Sequence, residues 1–479
     1  MRASSAASGA GVESDKPMES LDAFLVRRSP ALSGSVRVSG AKNSALKLVA
    51  AALLAEGRST IRNAPEIDDM LAMIAVVEHL GATVQRDDGG LHIEVPGDIG
   101  TSTPAHLVRK LRASLVVLGP LLARTGRAHI AQPGGCNLGN RGIDMHLSGL
   151  AAMGAVITYG PDFVQAEAER LHGADVELPF ASVGATENLL MAAVLADGVT
   201  RIGNAAREPE IVDLAAMLEA MGARISGAGT PDMVVEGVDG LRAAEHTVVG
   251  DRIEAGTYVA AAALTGGEVK VDGVNPEHLR IPLQKLRAMG VDLETGDDHV
   301  VVRGSGRLRA ADVVTLPYPG FPTDLQPQFL VLLSQAGGVS MLTENVFDGR
   351  FSVIGELVRL GAEIDVQSHH AVVRGARRLL GSTVRSTDLR AGAALVLAGL
   401  VADGETVVLD PHHVDRGYSD FAGRLRSLGA DIARVRLPAH LTDGADGAEG
   451  ADGADGVRAL AAAVHEPAGD APFVPGALP

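Results

Sequence analysis

The sequence contains no tryptophan, a single cysteine and only 3% aromatic residues. Without large aromatic side chains, the interior has to be packed from Ala, Val, Leu and Ile, and hydrophobic residues make up 46% of the chain. One cysteine cannot form an internal disulfide, and such scarcity is typical of a reducing compartment. We therefore expect a cytoplasmic protein with a large aliphatic core.

The sequence is also poor in positive charge and in long apolar runs. Its formal net charge is −17, which argues against a nucleic-acid partner, because phosphate contacts require a basic surface. The longest apolar stretch, residues 391–402, is shorter than the roughly 20 residues that cross a bilayer. The N-terminus has no basic region followed by an apolar segment, so we expect no membrane association.

The two ends of the chain lack residues that could form a core. Residues 1–21 are rich in Ser, Ala and Gly, and residues 437–479 include the acidic run TDGADGAEGADGADG. Segments of this composition bury too little apolar surface to offset the loss of chain entropy. We predict two disordered tails around a region that is long enough for two domains.

One phrase occurs six times, at intervals of roughly 70 residues. Each copy consists of the end of an amphipathic helix, a glycine at the C′ position and a short strand. The copies are EHLGATV, AAMGAVI, EAMGARI, RAMGVDL, VRLGAEI and RSLGADI. Between them lie Ala- and Leu-rich helices that are apolar nearly all round, and such helices belong in buried positions.

These units predict an α/β protein with two lobes of three units each, helices inside and sheets outside. The arrangement differs from a Rossmann fold, in which helices cover the sheet. An extended repeat array is the less favoured alternative, because its units are usually shorter.

Two of the buried helices begin with residues suited to anion binding. In SGAKNSALK, Lys42 and Asn43 stand at a helix N-terminus, where backbone N–H groups and the helix dipole favour negative charge. In ASVGATEN, the amides of Ser182, Val183 and Gly184 could hold phosphate oxygens. Ordinary helix caps would account for both stretches equally well.

The single cysteine, Cys136, lies in the glycine-rich stretch QPGGCNLGNRGIDMH close to Arg141. A buried structural cysteine is the usual alternative, but the glycines favour a loop. A neighbouring cation lowers the pKa of a thiol and makes it a usable acid or nucleophile. Further loops carry Arg350, Arg390 and Arg416, which together suggest a multiply anionic ligand.

Adjacent histidines occur at positions 369–370 and 412–413. Neighbouring side chains on a strand face opposite ways, so neither pair forms a natural two-ligand metal site. We predict no metal.

Eight stretches in fixed order resemble the enolpyruvyl transferase family over about Leu25 to Val435. They are SGAKNSALKLVAAALLAEG, LRASLVVLGPLLAR, PGGCNLG, SVGATEN, NAAREPEIVDL, FPTDLQ, ENVFDGRF and HVDRGY. The resemblance implies a two-lobe inside-out α/β barrel. One lobe, catalytic and discontinuous, would comprise residues 22–41 and 251–436, and the other, residues 42–250, would carry the Cys136 loop. The active cleft would lie between them.

The resemblance also implies the reaction. Enolpyruvate would pass from phosphoenolpyruvate (PEP) to an acceptor hydroxyl by addition and then elimination of phosphate, with no cofactor and no obligate protein partner. Cys136, the family's target for fosfomycin, would protonate PEP or add to it, Asp324 would be the base, and Lys42 and Asp388 would assist. The implied PEP contacts are Lys42, Arg112, Arg141, Arg350, Arg390 and Arg416. The implied acceptor contacts are Asn43, Arg141, Gly142, Asp144, Ser182, Val183, Gly184, Asp324 and Val346.

The Cys136 loop and SVGATEN place the chain in the branch whose acceptor is a uridine nucleotide, and they disfavour shikimate 3-phosphate. Gly142 replaces a proline of the family and Phe180 replaces a lysine of some members, both around the nucleotide. These changes favour the 3′-hydroxyl of UMP as acceptor, as in the synthesis of nikkomycin- and polyoxin-type antibiotics. UDP-N-acetylglucosamine, for peptidoglycan synthesis, is the alternative acceptor. A nucleotide-binding paralogue without turnover is the non-enzymatic alternative.

Overall fold

The computed structural model describes residues 20–110, 112–131, 143–160, 162–304 and 307–438. The strands in these ranges are β1 (Ser20–Arg27), β2 (Ser33–Arg37), β3 (Gly57–Arg62), β4 (Thr83–Asp87), β5 (Gly90–Val95), β6 (Arg127–Ala131), β7 (Val156–Tyr159), β8 (Phe163–Glu167), β9 (Asp175–Glu177), β10 (Val199–Gly203), β11 (Arg224–Ser226), β12 (Met233–Glu236), β13 (Glu245–Thr247), β14 (Glu268–Asp272), β15 (Asp292–Thr295), β16 (His299–Arg303), β17 (Val313–Val314), β18 (Val339–Thr343), β19 (Glu363–Gln367), β20 (His370–Arg374), β21 (Thr383–Arg385), β22 (Glu405–Leu409) and β23 (Ile432–Pro438).

The helices are α1 (Lys42–Ala52), α2 (Asp68–His79), α3 (Ala105–Lys110), α4 (Leu118–Thr125), α5 (Asp144–Ala152), α6 (Val183–Ala193), α7 (Pro209–Met221), α8 (Arg252–Thr265), α9 (Arg280–Ala288), α10 (Gln326–Gln335), α11 (Val353–Arg359), α12 (Leu389–Gly399), α13 (His412–Asp415) and α14 (Phe421–Ser427). Short 3₁₀ helices cover Arg112–Val117, Pro276–Leu279, Thr323–Leu325 and Asp348–Ser352. No helix in the described ranges combines the length and apolar character needed to span a membrane.

The strands of the described chain form six sheets, one for each predicted unit. Their strand orders are β13-β3-β5-β4, β6-β8-β7, β11-β12-β10-β9, β15-β16-β14-β2, β17-β18-β20-β19 and β21-β22-β1-β23. In each four-stranded sheet one edge strand pairs in parallel with its neighbour and the other strands pair antiparallel, as β2 joins β14. The prediction of an inside-out α/β fold built from six units is confirmed.

The glycine of each repeated phrase ends its amphipathic helix in a left-handed conformation. Its φ angle lies between +94° and +111° in all six copies, which are Gly81, Gly154, Gly222, Gly290, Gly361 and Gly429. Side chains other than glycine rarely adopt this conformation. The glycine therefore turns the chain from the helix into the following strand.

Two large, separate clusters of buried side chains form the core, and a third, small cluster lies on β1, β22 and β23. One takes its residues from 24–38 and 253–432 and surrounds α8, α10 and α12; we call it the discontinuous lobe. The other takes its residues from 41–248 and surrounds α1, α4 and α6; we call it the inserted lobe. The central helices are buried because they lack a polar face.

The chain passes twice through a narrow junction at Gly40 and Gly250, which form an isolated antiparallel bridge. A Cβ atom at Gly40 would come within 2.0 Å of the Asn63 carbonyl oxygen, and one at Gly250 within 1.8 Å of the Gly273 carbonyl oxygen. Only glycine fits such close backbone approaches. We propose this junction as the boundary between the lobes, as the sequence predicts.

Both predicted tail boundaries differ from the structure by two residues. β1 begins at Ser20 and β23 ends at Pro438, and these two residues pair with each other. The outermost residues are ordered because the two strands satisfy each other's backbone hydrogen bonds. The rest of both predicted tails lies outside the described residues.

Candidate active site

A cleft of about 510 Å³ lies between the two lobes, a volume within the range of small-molecule sites. The inserted lobe contributes the N-terminal ends of α1, α2 and α6, and the discontinuous lobe contributes the starts of α8 and α12 and the 3₁₀ turns near residues 324 and 350. Several helix N-termini therefore face one space, which favours anionic ligands.

Asp324 lies in this cleft and is held by two buried arginines. Its Oδ1 accepts a hydrogen bond of 2.5 Å from Arg350, and its Oδ2 accepts one of 3.3 Å from Arg390. Both guanidinium groups are at most 2% exposed, whereas the Asp324 side chain is 24% exposed. The two buried arginines thus fix the orientation of the carboxylate, and its exposed side faces the cleft.

Asn43 of the inserted lobe approaches the same carboxylate. Its side-chain amide donates to Asp324 Oδ2 at 3.4 Å. The predicted base and a predicted acceptor contact therefore meet, although they lie 281 residues apart in the chain.

Lys42 and Arg416 share one buried carboxylate, that of Asp69. Lys42 Nζ lies 2.7 Å from Oδ2, and Arg416 Nε donates to Oδ1 at 2.8 Å. Burial alone would raise the pKa of Asp69, but the charges and hydrogen bonds of the two cations outweigh it and lower that pKa. The carboxylate stays ionised and fixes the cations beside each other, although Arg416 belongs to the other lobe.

The N-terminus of α6 forms another part of the cleft wall. Ser182 caps the helix by accepting a hydrogen bond of 3.4 Å from the Ala185 amide. Ser182, Val183 and Gly184 all line the cleft, and a Cβ atom on Gly184 would lie 3.1 Å from the His146 ring. The Ser182 cap uses only the Ala185 amide. The other amides of the first turn point out of the helix end and can still bind an anion, so the cap and the predicted anion site are compatible.

A further charged group lies beside α6. Lys47 donates to the Asn43 carbonyl oxygen at 2.6 Å, and its Nζ lies 3.4 Å from Glu187 Oε1. Burial raises the pKa of Glu187 to about 7, Lys47 lowers it, and Glu210 and Glu208 raise it further. This carboxylate changes charge near neutral pH.

An ion pair and a backbone hydrogen bond join the lobes among the residues that line the cleft. Arg252 binds Glu210 through two bonds, of 2.9 and 3.2 Å, and the Tyr318 amide donates to Glu208 at 3.2 Å. Burial would lower the pKa of Arg252, but Glu210 and Glu208 raise it, so this guanidinium stays charged.

Other predicted residues occupy different positions. Val346 lines the cleft. Asp388 is 2% exposed and caps α12 by accepting from the Arg390 and Ala391 amides; it lies behind the cleft wall rather than in it, and its role in proton transfer stays a prediction. Asp144 is exposed at the start of α5, outside the cleft wall.

Cys136, Arg141 and Gly142 lie outside the described residues, as does the side chain of Arg112. Their predicted roles stay predictions. Within the described ranges, no three His, Cys, Asp or Glu side chains are grouped to hold a metal ion.

Sequence reasoning missed several charged residues of the cleft. Asp69 stands in the first turn of α2, where an acidic residue is also explained by the helix dipole. Lys47 and Glu187 gave a better signal, because a charged residue inside an apolar helix requires a partner. Glu208, Glu210 and Arg252 are missed residues of the same kind, and Glu208 and Glu210 lie in the stretch NAAREPEIVDL.

Comparison with known proteins adds to this geometry. The family model of EPSP synthase (3-phosphoshikimate 1-carboxyvinyltransferase) matches residues 26–425. A UDP-N-acetylglucosamine 1-carboxyvinyltransferase from Corynebacterium jeikeium (strain K411) is 50% identical over 415 residues, covering 87% of this chain and 99% of that protein. A protein of the same name from Mycobacterium tuberculosis (strain CDC 1551 / Oshkosh) is 52% identical over 412 residues, covering 86% and 99%.

Two solved structures share the architecture. The enolpyruvyl transferase NikO from Streptomyces tendae superimposes with a TM-score of 0.80 at 27% identity, covering 88% of this chain and 100% of that chain. EPSP synthase from Acinetobacter baumannii has a TM-score of 0.69 at 20% identity, covering 86% and 100%, and shows likeness of fold alone.

Proposed function

The chain belongs to the EPSP synthase family of enolpyruvyl transferases, and we propose that it transfers the enolpyruvyl group of PEP to a hydroxyl of UDP-N-acetylglucosamine with release of phosphate. The observation that carries this proposal is the grouping in one cleft of a carboxylate, Asp324, with the cation pair Lys42 and Arg416. A base for the acceptor and cations for a phosphate are the groups that the reaction requires.

In the proposed addition step, the acceptor hydroxyl gives its proton to Asp324 and its oxygen bonds to C2 of PEP. The methylene carbon C3 takes a proton from Cys136. The double bond between C2 and C3 becomes a single bond, and C2 becomes the tetrahedral carbon of a ketal. In the elimination step, C3 returns a proton to the Cys136 thiolate, the bond between C2 and the phosphate oxygen breaks, and the phosphate leaves with the proton that Asp324 held. Lys42 and Arg416 would stabilise the charge that develops on the phosphate.

The choice of acceptor rests on the relatives. Proteins named UDP-N-acetylglucosamine 1-carboxyvinyltransferase are 49–52% identical over 86% of this chain, whereas NikO is 27% identical over 88% of it. The preference for UMP drawn from the sequence is therefore less well supported than its alternative. It depended on Gly142, which lies outside the described residues, and on Phe180, a cleft-lining residue that is 39% exposed.

The test is an assay of phosphate release from PEP in the presence of each acceptor. We expect kcat/KM with UDP-N-acetylglucosamine to exceed that with UMP by about 100-fold or more, because a site built for polar groups of a substrate rejects an analogue that lacks them. Release with UMP alone would contradict the proposal. Calorimetric binding of both substrates without release would instead indicate a nucleotide-binding protein without turnover.

The proposed role of Cys136 leads to a second expected result. Replacing Cys136 by aspartate should retain part of the activity, because a carboxylic acid can also donate a proton to PEP. The variant should lose its sensitivity to fosfomycin, since the alkylated thiol is gone. Phosphate release is measured after preincubation of both proteins with the drug, and full inhibition of the variant would refute the assignment.

A further inference from the structure

Among the cations that line the described cleft, Lys47 has the longest ion-pair contact with its carboxylate partner, 3.4 Å to Glu187. Arg350 and Arg390 bind Asp324, Lys42 and Arg416 bind Asp69, and Arg252 binds Glu210. Lys47 instead makes a hydrogen bond with a backbone carbonyl group and a looser contact of 3.4 Å with Glu187. An ammonium group has three donors, so a third remains available for a ligand.

The contact with Glu187 shows that the Lys47 ammonium group lies near the N-terminus of α6. Glu187 follows Val183 by four residues, so the two share a face of the helix, and helical side chains lean toward the N-terminus. The Glu187 carboxylate is therefore level with the first turn, and Lys47 lies beside it. The Glu187 side chain is 1% exposed, and neither of its oxygens accepts a hydrogen bond.

The Glu187 carboxylate is buried, makes no hydrogen bonds and lies against a lysine at a helix N-terminus. A helix N-terminus with a lysine beside it is a favourable binding site for a phosphate group. The neighbouring residue at the helix entrance, Phe180, carries no charge. We propose that Lys47 exchanges its contact with Glu187 for the acceptor, and that it binds the diphosphate of the uridine nucleotide together with the amides of Ser182 to Gly184. This inference rests on the proposed function, because it assigns a site to the phosphates of that acceptor.

The experiment compares the binding of uridine, UMP and UDP by isothermal titration calorimetry, which needs no turnover. In Lys47→Met, the affinity for UDP should fall by about 10- to 100-fold, the effect of losing a hydrogen bond to a charged group. The affinity for uridine should stay unchanged, as should the KM for PEP. Equal losses for uridine and UDP would indicate a structural role and overturn the proposal, as would no loss at all.

Two further variants keep the test decisive. Lys47→Met alone leaves Glu187 buried without its cation, so Lys47→Met/Glu187→Gln removes both charges; compared with Glu187→Gln, it should bind UDP more weakly and uridine equally well. The matched control is Lys270→Met, because Lys270 lies on β14 outside the cleft and pairs with Asp272. If wild-type protein binds UDP in this way but releases no phosphate with UDP-N-acetylglucosamine, the proposed function fails while the Lys47 site stands.

Glu187→Gln should change UDP binding in the opposite direction. Burial raises the pKa of Glu187 to about 7. The charged groups that face this carboxylate are Lys47 of α1 and the glutamates at the start of α7, Glu208 and Glu210. The ring of His146, on α5, packs over Gly184. At about pH 8 the wild-type carboxylate is ionised and competes with the diphosphate, so the variant should bind UDP more tightly. At about pH 6 the wild-type group is protonated and the difference should vanish. A pH-independent difference would contradict this competition.

Discussion

Replacing Asp324 by asparagine will lower kcat by about 10²- to 10⁴-fold, the usual contribution of a positioned general base. The amide has nearly the same size, and its carbonyl oxygen can still accept from Arg350, which donates to Oδ1 at 2.5 Å, whereas its NH2 group in the place of Oδ2 no longer accepts from Arg390. It cannot take the proton of the acceptor hydroxyl. Steady-state phosphate release measures the loss, and calorimetry should show that the acceptor still binds.

The control for this prediction is Asp348→Asn. Asp348 belongs to the same lobe, but it is exposed and lies outside the cleft wall, so its replacement should leave kcat unchanged. If Asp324→Asn kept the wild-type kcat, another group would have to act as the base. If it abolished acceptor binding as well, Asp324 would have a mainly structural role.

Replacing Arg416 by methionine will raise the KM for PEP by about 10- to 100-fold, the effect of losing charge-assisted hydrogen bonds to an anion. The KM for the acceptor should change little, because Arg416 lies beside Lys42 and Asp69 and not beside the α6 N-terminus. Initial rates over a matrix of both substrate concentrations separate the two constants. A larger increase in the KM for the acceptor than in the KM for PEP would indicate that the PEP phosphate binds elsewhere.

Arg416 also joins the lobes through Asp69, so its replacement needs a control for stability. Arg303→Met removes an exposed arginine that pairs with Glu268 and Glu294 on an outer sheet. Exposed pairs contribute little to stability, so this variant should keep the wild-type KM for PEP. Thermal unfolding of both variants shows whether the loss in Arg416→Met exceeds a change in stability.

The cleft shows which parts of the site were predictable. Lys42, Asn43 and Ser182 to Gly184 were found because a helix N-terminus after a glycine-containing loop is a local feature with a local physical consequence. Asp324, Arg350, Arg390 and Arg416 were assigned through resemblance, and the structure brings all four to one cleft. Asp388 was assigned in the same way; its side chain caps α12, and its role in proton transfer stays a prediction.

The missed residues share one property. Asp69 lies 347 residues from its partner Arg416, and it is unremarkable in its own segment, because an acid at a helix start has an ordinary local explanation. Lys47 and Glu187 belong to different helices of one lobe, and only the packing of those helices brings them together.

The sequence by itself determined the six units, the burial of the central helices and the left-handed turn at each repeated glycine. These features depend on periodicity and on backbone sterics within a few residues. Only the tertiary structure decided which carboxylate holds which cation: Asp69 between Lys42 and Arg416, Asp324 between Arg350 and Arg390, Glu187 against Lys47. The strength of such pairs depends on distance and desolvation after the lobes have packed, and neither quantity is encoded in a local pattern.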